Sequence, residues 1–333
     1  MNNINDLLDK VLSSLNEDDY DSVVLSLQRF LEECPDQIDL RAKNEFLLVK
    51  KILELKSSLS EWDQFRLLKN VYDYCKLQYD KDELIRNSPS DATLLSRRNT
   101  IWWCWLQGLD AAPEIVRACY RSLSRLGREI CVITKDNLKD YVELPSPIMD
   151  KWRDGRISNT HFSDLLRLEL LCSHGGTWVD ATVFCSGTEV ISPLLDDASL
   201  FCFRSVMRNG VSEYTGYDSW FLHSTKRSGI LSDTRDMLYA YWKEEEELMH
   251  YFLFHLFFTL ATWRHPDECA SIPIFSTEPC HVMQMELQRP CSEKRWAQLN
   301  RMSDIHKLTY KYDDKIPMRG TTLERVLNDC TIV

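Results

Sequence analysis

The residues best suited to chemistry in this chain are two carboxylates and a guanidinium between positions 164 and 180. Asp164 and Arg167 lie three residues apart, so on a helix they share one face. Gly175-Gly176 then predicts a turn, followed by a short apolar strand that ends on Asp180. A carboxylate at the carboxyl end of a buried strand lies where open α/β sheets bind nucleotides. An acid and a guanidinium beside it could hold sugar hydroxyls and a diphosphate, which suits an enzyme that uses a sugar nucleotide.

Three tryptophans, Trp102, Trp103 and Trp105, lie on and just after an earlier predicted strand. Aromatic residues are common in the cores of sheets, where they bury large areas. Because side chains alternate along a strand, Trp102 and Trp103 point to opposite faces and cannot share one core. Gln107 follows with Gly108, whose missing side chain permits close approach of a ligand. One of the tryptophans could therefore stack on a nucleotide base, with core packing as the alternative.

Two further groups of residues could contact a substrate. His306 and Lys307 form a dipeptide late in the chain, which is either a plain surface pair or part of a lid over a diphosphate. In a lid, Lys307 would neutralise charge and His306 would donate a hydrogen bond or ligate a metal. Asp218, Ser219 and Trp220 form the second group. The indole of Trp220 could provide a floor for the C–H face of a sugar ring.

Residues 3 to about 86 show helical spacing of apolar residues almost throughout. Breaks near residues 16–19, 34–36 and 57–60 divide this region into four amphipathic helices. Four such helices would form two hairpins or a small bundle. Because Asn87-Ser88-Pro89-Ser90 has the composition of a linker, we predict an N-terminal helical module over residues 1–88 and a second domain over 89–333.

From residue 100 the pattern alternates between strands and helices, which predicts an α/β fold. Strands or extended segments are predicted at 100–105, 129–134, 200–204, 219–223 and 305–310, together with the short strand that ends on Asp180. Helices are predicted at 112–126, 147–153, around Asp164, at 228–242, 245–264 and 322–327, with Glu244 to Glu247 as a solvated helix start. The first strand, helix and strand form a crossover unit with a parallel pair.

The composition is that of an ordinary globular protein, with 40 Lys and Arg against 51 Asp and Glu and a net charge of -11. A charge of that sign argues against nucleic acid as a partner. The N-terminus lacks the basic and apolar segments of an export signal, so we expect a cytoplasmic protein whose 12 cysteines stay reduced. The longest apolar run, residues 251–263, is too short to span a bilayer, which leaves peripheral contact with a membrane open.

The chain from Thr100 to Leu327 resembles the capsular polysaccharide synthesis glycosyltransferases. That family is related to sugar transferases with a DxD motif, such as the yeast-type initiating α-mannosyltransferases and the clostridial glucosylating toxins. The segments that carry the resemblance are Ile101 to Gly108 with Ala112 to Val116, His161 to Arg167, Gly175 to Thr182, Ser219 to Phe221, Tyr251 to His255 and Ile305 to Tyr310. The N-terminal helices lie outside the resemblance.

The resemblance implies a GT-A fold, in which a Rossmann-like nucleotide-sugar-binding sheet is flanked by helices. It also implies a nucleotide-sugar donor, with a UDP-hexose as first choice, and transfer with retention of anomeric configuration. Trp102 matches the aromatic that stacks on the base. Asp164 and Arg167 match the motif that contacts ribose and donor sugar, and Asp180 matches the first Asp of the DxD motif.

Thr182 stands where the second Asp of that motif usually holds a divalent cation. A hydroxyl is neutral and a poorer ligand for Mn²⁺ or Mg²⁺ than a carboxylate. Asp180 and His306 could still bind the metal between them. Alternatively, Lys307 and Arg167 could take over its electrostatic role.

These features predict a retaining hexosyltransferase of bacterial capsule or O-antigen repeat-unit synthesis, which moves a hexose to a lipid-linked glycan acceptor. We expect Asp180, Asp164 and Arg167 to be catalytic. The residues expected to bind nucleotide or sugar are Trp102, Trp103, Gln107, Thr182, Asp218, Ser219, Trp220, His306 and Lys307. The alternatives are a toxin-like enzyme that glycosylates a protein and a sugar-binding relative without catalysis. Hydrolysis of donor without acceptor would exclude the latter.

Overall fold

The computed structural model describes residues 61–85, 95–205, 212–313 and 315–329. The chain divides into two compact units. The described part of the first unit consists of residues 61–81 and 248–253. The second unit holds the described residues of 82–247 and 254–333, and it contains every predicted site residue.

The first unit contains helix α1 (Glu61–Tyr79), which is the fourth helix predicted for the N-terminal region. Its residues Leu68, Val71 and Cys75 recur at helical spacing and are buried. The three earlier predicted helices lie outside the described residues. Because residues 86–94 lie outside them too, the domain boundary at residue 88 stays a prediction.

The second unit is built around a mixed sheet. Its strands are β1 (Thr100–Cys104), β2 (Glu129–Ile133), β3 (Gly176–Val179), β4 (Val183–Cys185), β5 (Leu200–Arg204), β6 (Tyr217–Ser224) and β7 (Ile305–Lys307). Within the described residues, five strands form the main sheet in the order β2-β1-β3-β6-β5. Strand β1 runs parallel to β2 and β3, whereas β6 runs antiparallel to β3 and β5. Strands β4 and β7 form a separate antiparallel pair.

Helices flank this sheet. They are α2 (Glu114–Ser122), α3 (Ser146–Arg153), α4 (Asn159–His174), α5 (Ile191–Asp197), α6 (Ser212–Thr215), α7 (Gly229–Glu244), α8 (Leu253–Arg264), α9 (Pro266–Ser271), α10 (Glu278–Met285), α11 (Glu293–Met302) and α12 (Thr322–Asp329). Short 3₁₀ turns cover Leu109–Ala111, Leu123–Leu126 and Leu138–Asp140. The predicted α/β fold is confirmed, and the arrangement is consistent with a GT-A-like fold. No helix in the described residues is long and apolar enough to cross a membrane.

Both faces of the inner strand β1 are covered. Ile101 and Trp103 belong to the same hydrophobic core as Ile115 and Val116 of α2. Trp102 points to the other face, where α4 packs against the sheet. A parallel strand buried on both faces carries an apolar run without polar alternation, which is the pattern of β1.

Two glycines make the tight connection from α4 into β3. Gly175 ends the helix with φ 72°, and Gly176 begins the strand with φ 101°. A Cβ atom on Gly176 would lie 2.5 Å from the carbonyl oxygen of Thr100, so a side chain would push β3 away from β1. Trp102 Nε1 donates a hydrogen bond of 2.7 Å to the Gly175 carbonyl and fixes the turn. The residue after β3, Asp180, is thereby held at the carboxyl end of the parallel strands.

The prediction of a helix over 245–264 is wrong at its start, since residues 245–252 form no helix and α8 begins at Leu253. The side chain of Lys151 is buried, and its ammonium donates to the carbonyls of Trp242 and Glu245, at 2.8 and 2.7 Å. These bonds satisfy carbonyls at the end of α7 and stop the helix there. Glu245 is buried as well, so the run from Glu244 is not a solvated helix start.

Candidate active site

The candidate site lies where β1 and β3 end, with the first residues of β6 and strand β7 alongside. Asp180 follows β3 directly, and its backbone N–H donates to the Trp220 carbonyl of β6 at 2.9 Å. Val183 N–H donates back to the Asp180 carbonyl, which turns the chain sharply into β4. The backbone on both sides of Asp180 is therefore fixed, and its side chain is 24 % exposed at the strand end.

Asp180 is held between two cations. Its Oδ1 accepts from Arg167 Nη2 at 3.1 Å and from Trp178 Nε1 at 2.9 Å. Its Oδ2 accepts from Lys307 Nζ at 2.6 Å. The same ammonium donates to Thr182 Oγ1 at 3.1 Å. The structure thus brings together residues that the sequence places in three separate segments.

Arg167 is fixed from the helix side. It is 3 % exposed, donates to Asp164 three residues earlier on α4, and lies over the ring of Trp178 at 5.1 Å. Asp164 in turn lies 3.2 Å from His161 Nδ1. Because the indole N–H of Trp242 donates to His161 Nε2 at 2.8 Å, a neutral imidazole carries its proton on Nδ1, facing Asp164.

His161 is a site residue that the sequence reasoning missed. It lies within the segment His161 to Arg167 that carries the family resemblance. The signal was present, since His161, Asp164 and Arg167 recur every third residue along one helix face. The three form a buried row that positions the guanidinium toward Asp180.

The electrostatics of the site favour a charged Asp180. Burial by itself would raise the pKa of Asp180, but the charges of Lys307 and Arg167 and the hydrogen bonds from Lys307 and Trp178 outweigh it and lower that pKa. Nearby, burial first and the Asp180 charge second raise the pKa of the Cys104 thiol to about 12. Cys104 therefore stays protonated at neutral pH and is no nucleophile.

Base stacking by Trp102 or Trp103 does not fit the structure, because neither has any exposed surface. Trp102 packs under Tyr141 and His174, and Trp103 packs against Tyr120. Trp105 differs, since it follows the end of β1, is half-buried, and meets the ring of Tyr310 edge-on at 5.7 Å. Among Trp102, Trp103 and Trp105, only Trp105 has a ring that a base could reach.

Gln107 follows two residues after Trp105 and is exposed, so it is free to meet a ligand at this end of the sheet. Gly108 comes next with φ 85°, and its N–H donates to the Trp105 carbonyl at 2.8 Å. A turn with that left-handed φ favours glycine. The turn therefore holds Trp105 and Gln107 together at the edge of the candidate site.

The group on β6 is only partly accessible. Trp220 is 5 % exposed, and Phe203 stacks on its ring at 4.8 Å, so its face cannot serve as the predicted sugar floor. Ser219 is buried as well. Asp218 is half-buried, and burial first raises its pKa, against smaller opposing effects of Thr277, His281 and Lys307. Its Oδ2 has essentially no exposed surface, and Thr277 and Trp220 lie close enough to act on the carboxylate, so a ligand does not reach this oxygen.

His306 and Lys307 are neighbours in sequence but point to opposite sides. His306 pairs with Phe184 across β4 and β7, and its Nε2 lies 3.0 Å from Ser186 Oγ. It is 1 % exposed, whereas Lys307 reaches Asp180. The predicted pairing of Asp180 with His306 around a metal therefore does not fit, because successive residues of a strand face opposite ways and it is Lys307 that faces Asp180.

The donor set around Asp180 is also poor for Mn²⁺ or Mg²⁺. Both carboxylate oxygens are already bonded to cationic or N–H donors, and Thr182 offers only a neutral hydroxyl that accepts from Lys307. Among the described residues there is no group of three or more His, Cys, Asp or Glu side chains that could hold a metal ion. Hard divalent cations prefer several oxygen ligands, so these residues do not fit one.

We expect His306 to make the folded protein less stable in acid. Burial lowers the pKa of His306 to about 4, against about 6.5 in an unfolded chain. Below pH 6.5 the unfolded chain binds a proton that the folded chain does not bind until about pH 4, so the free energy of unfolding falls across that window. The shift corresponds to about 3 kcal/mol at its acid end. Urea denaturation measured from pH 7 to pH 4 should show that the free energy of unfolding falls less for His306→Gln than for the wild type.

His265 provides the matched control for this measurement. A hydrogen bond to Asp233 at 2.8 Å raises the pKa of His265, so its stabilisation is present below its unfolded pKa and is lost as pH rises through the folded value. His265→Gln should therefore change the pH dependence in the opposite sense. If the free energy of unfolding of His306→Gln fell as steeply with pH as that of the wild type, the assignment of His306 as a neutral buried imidazole would be wrong.

The comparisons with known proteins agree with this picture at the level of the family. The model of the capsular polysaccharide synthesis protein family matches residues 52–326, which is most of the chain and includes the whole candidate site. The match also covers α1, so the expectation that the N-terminal helices lie outside the family resemblance is wrong for the fourth of them. A search among curated proteins finds no match. With the family model covering this much of the sequence, the chain belongs to the capsular polysaccharide synthesis protein family.

Proposed function

We propose that this protein is a retaining glycosyltransferase that moves a hexose from a nucleoside diphosphate sugar, with a UDP-hexose as first choice, to a glycan acceptor. Membership in the capsular polysaccharide synthesis family supports a role in capsule biosynthesis. The observation that carries the proposal is Asp180, held at the end of a parallel strand between Arg167 and Lys307. A carboxylate for sugar hydroxyls and two cations for a diphosphate suit such a donor.

The nucleotide would lie across the end of β1. Trp105 is half-buried there beside Tyr310, so its ring could stack on the base. Gln107 follows on an exposed turn and could reach the base or ribose. A base at the end of β1 and a diphosphate at Asp180 after β3 would place the ligand outside the carboxyl ends of the parallel strands, where open α/β sheets bind ligands.

The donor sugar and diphosphate would lie over Asp180. In the proposed reaction the bond between the anomeric carbon and the diphosphate oxygen breaks, and its electron pair stays on that oxygen. Lys307 and Arg167 offset the charge that develops there. Asp164 and His161 do not touch the donor in this scheme. Their role is to hold the guanidinium of Arg167 in place.

The acceptor hydroxyl would approach the same face of the sugar that the diphosphate leaves. Its oxygen forms the new bond to the anomeric carbon, and its proton passes to the departing diphosphate oxygen, so configuration is retained. We further propose a lipid-linked glycan as acceptor, with the protein in the cytoplasm at the membrane surface.

A panel of donors tests the proposal. UDP-glucose, UDP-galactose and GDP-mannose are each added to the protein, and thermal unfolding and release of nucleoside diphosphate are followed. A donor at 1,000 times its Kd should stabilise the protein by roughly 4 kcal/mol. Trp105→Ala should weaken binding of that donor about tenfold, because stacking on an aromatic ring contributes roughly 1–3 kcal/mol per base.

Trp263→Ala is the matched control, since Trp263 is 76 % exposed and should leave donor affinity unchanged. Donor hydrolysis or transfer would support an enzyme, and donor binding without either would favour a sugar-binding protein. Labelling of a protein in place of a glycan would instead support the toxin-like alternative. If no nucleotide sugar of the panel bound, the proposed donor class would be wrong.

A further inference from the structure

Lys307 occupies an unusual position in the candidate site. Its ammonium bonds Asp180 Oδ2 at 2.6 Å and Thr182 Oγ1 at 3.1 Å. These two side chains are the first and third residues of Asp180-Ala181-Thr182. A lysine from a strand more than a hundred residues later thus inserts a fixed positive charge between the two side chains on which a divalent cation would depend.

The pairing of β4 and β7 holds Lys307 in this position. Lys307 pairs with Val183, directly after Thr182, and the next residue, Leu308, donates its N–H to the Thr182 carbonyl at 2.9 Å. The stem of Lys307 therefore starts from a backbone that is bonded to the Asp180 turn itself. A charge delivered by paired backbone needs little reorganisation when a ligand binds.

One donor of the ammonium remains for a ligand. An ammonium carries three N–H groups, and Asp180 and Thr182 account for two of them. The Lys307 side chain is 20 % exposed, so the third can face a bound molecule. A diphosphate oxygen beside Asp180 would complete its bonding and would meet a positive charge where a metal ion would otherwise be needed.

We propose that Lys307 is the permanent cation of this site and that the protein binds and cleaves its donor without a divalent metal. The proposal rests on the proposed function for its substrate class. When the bond between the anomeric carbon and the diphosphate oxygen breaks, that oxygen keeps the electron pair, and Lys307 and Arg167 balance the added charge. The acceptor proton later neutralises the same oxygen, so no further cofactor enters the step.

Direct measurement of Mn²⁺ binding tests the proposal without any turnover. Free Mn²⁺ is followed by electron paramagnetic resonance as it is added to the wild type and to a Thr182→Asp/Lys307→Ala double variant. The wild type should bind no stoichiometric Mn²⁺ at millimolar metal. The double variant exposes two carboxylates two residues apart and should bind at least about tenfold more tightly. Stoichiometric binding by the wild type at micromolar Mn²⁺ would overturn the proposal.

Diphosphate binding supplies the second test. UDP and GDP are titrated into the wild type calorimetrically, once in EDTA and once in Mn²⁺. For the nucleotide that binds more tightly, the Kd in EDTA and the Kd in Mn²⁺ should agree within about twofold. Lys307→Met should lose at least about tenfold in that affinity, and Lys307→Arg should retain most of it because the charge remains. Far-ultraviolet circular dichroism shows whether each variant is folded. If Lys307→Met does not fold, the nucleotide affinity of Lys307→Arg decides the test.

The two failures are distinguishable. If neither UDP nor GDP binds under any condition, the proposed function fails, while the Mn²⁺ titration still decides whether Lys307 excludes a metal. If UDP or GDP binds only in Mn²⁺, or if Mn²⁺ restores affinity to Lys307→Met, the donor class survives and the proposal for Lys307 is overturned.

Discussion

Asp180→Asn should keep its fold and lose at least about a hundredfold in turnover. Asparagine preserves the shape of the side chain and can still accept from Trp178 and Arg167, but it carries no charge. Lys307 would then lose its counter-charge and the donor would lose the carboxylate that orients it. Loss of one preorganised electrostatic group commonly reduces turnover about a hundredfold to a thousandfold. Release of nucleoside diphosphate under single-turnover conditions measures the effect.

Asp267→Asn is the matched control for this variant. It makes the same chemical change at an exposed residue of α9. It should have wild-type turnover. Both proteins should show the wild-type circular dichroism spectrum, so that a loss of activity can be assigned to the site. Near-normal transfer by a folded Asp180→Asn protein would remove Asp180 from the catalytic machinery.

Arg167→Gln should lower the free energy of unfolding by about 3–5 kcal/mol at neutral pH. Arg167 is 3 % exposed and bonds both Asp164 and Asp180. Removing one member of a buried ion pair leaves uncompensated buried charge, which is the reason for so large a loss. Glutamine cannot replace a guanidinium fork that serves two carboxylates. Urea denaturation with one common slope would measure the difference.

Arg156→Gln is the control, since Arg156 also bonds two carboxylates, Asp154 and Glu246, but is exposed. Exposed ion pairs contribute little, so this variant should unfold close to the wild type. The deficit of Arg167→Gln should also shrink as pH falls, because Arg167 helps to lower the pKa of Asp180 and its contribution is lost once Asp180 takes up a proton. A loss at neutral pH no larger than that of Arg156→Gln would show that the buried network does not stabilise the fold.

The sequence predicts the shared helix face of Asp164 and Arg167 and the strand that ends at Asp180, because both depend on local periodicity. Asp164 and Arg167 share a helix face whatever surrounds the helix, and a glycine pair before an apolar run indicates a turn into a strand. The sequence predicts Lys307 only as part of a lid over a diphosphate and does not predict its contact with Asp180. Its actual geometry depends on the pairing of β4 with β7, and β4 was not predicted as a separate strand.

The tryptophans mark the limit of this reasoning. Strand alternation correctly separates Trp102 from Trp103, but it cannot tell that α2 and α4 cover both faces. Trp105 is partly exposed because it lies just beyond the end of β1. The position of that end depends on where the pairing of β1 with β2 stops. In the same way, His306 and Lys307 look equivalent as a dipeptide, and only their strand register separates a buried imidazole from an ammonium in the site.

The pairing of β4 with β7 also sets the time at which the site is completed during synthesis. Asp180 and Lys307 are separated by 127 residues. At a translation rate of roughly 5–20 residues per second, the ribosome adds Lys307 roughly 6–25 s after Asp180. Until then the carboxylate has Arg167 but lacks its second cation, so the nascent chain holds an incomplete centre. The candidate site would therefore be completed only after Lys307 has been synthesised.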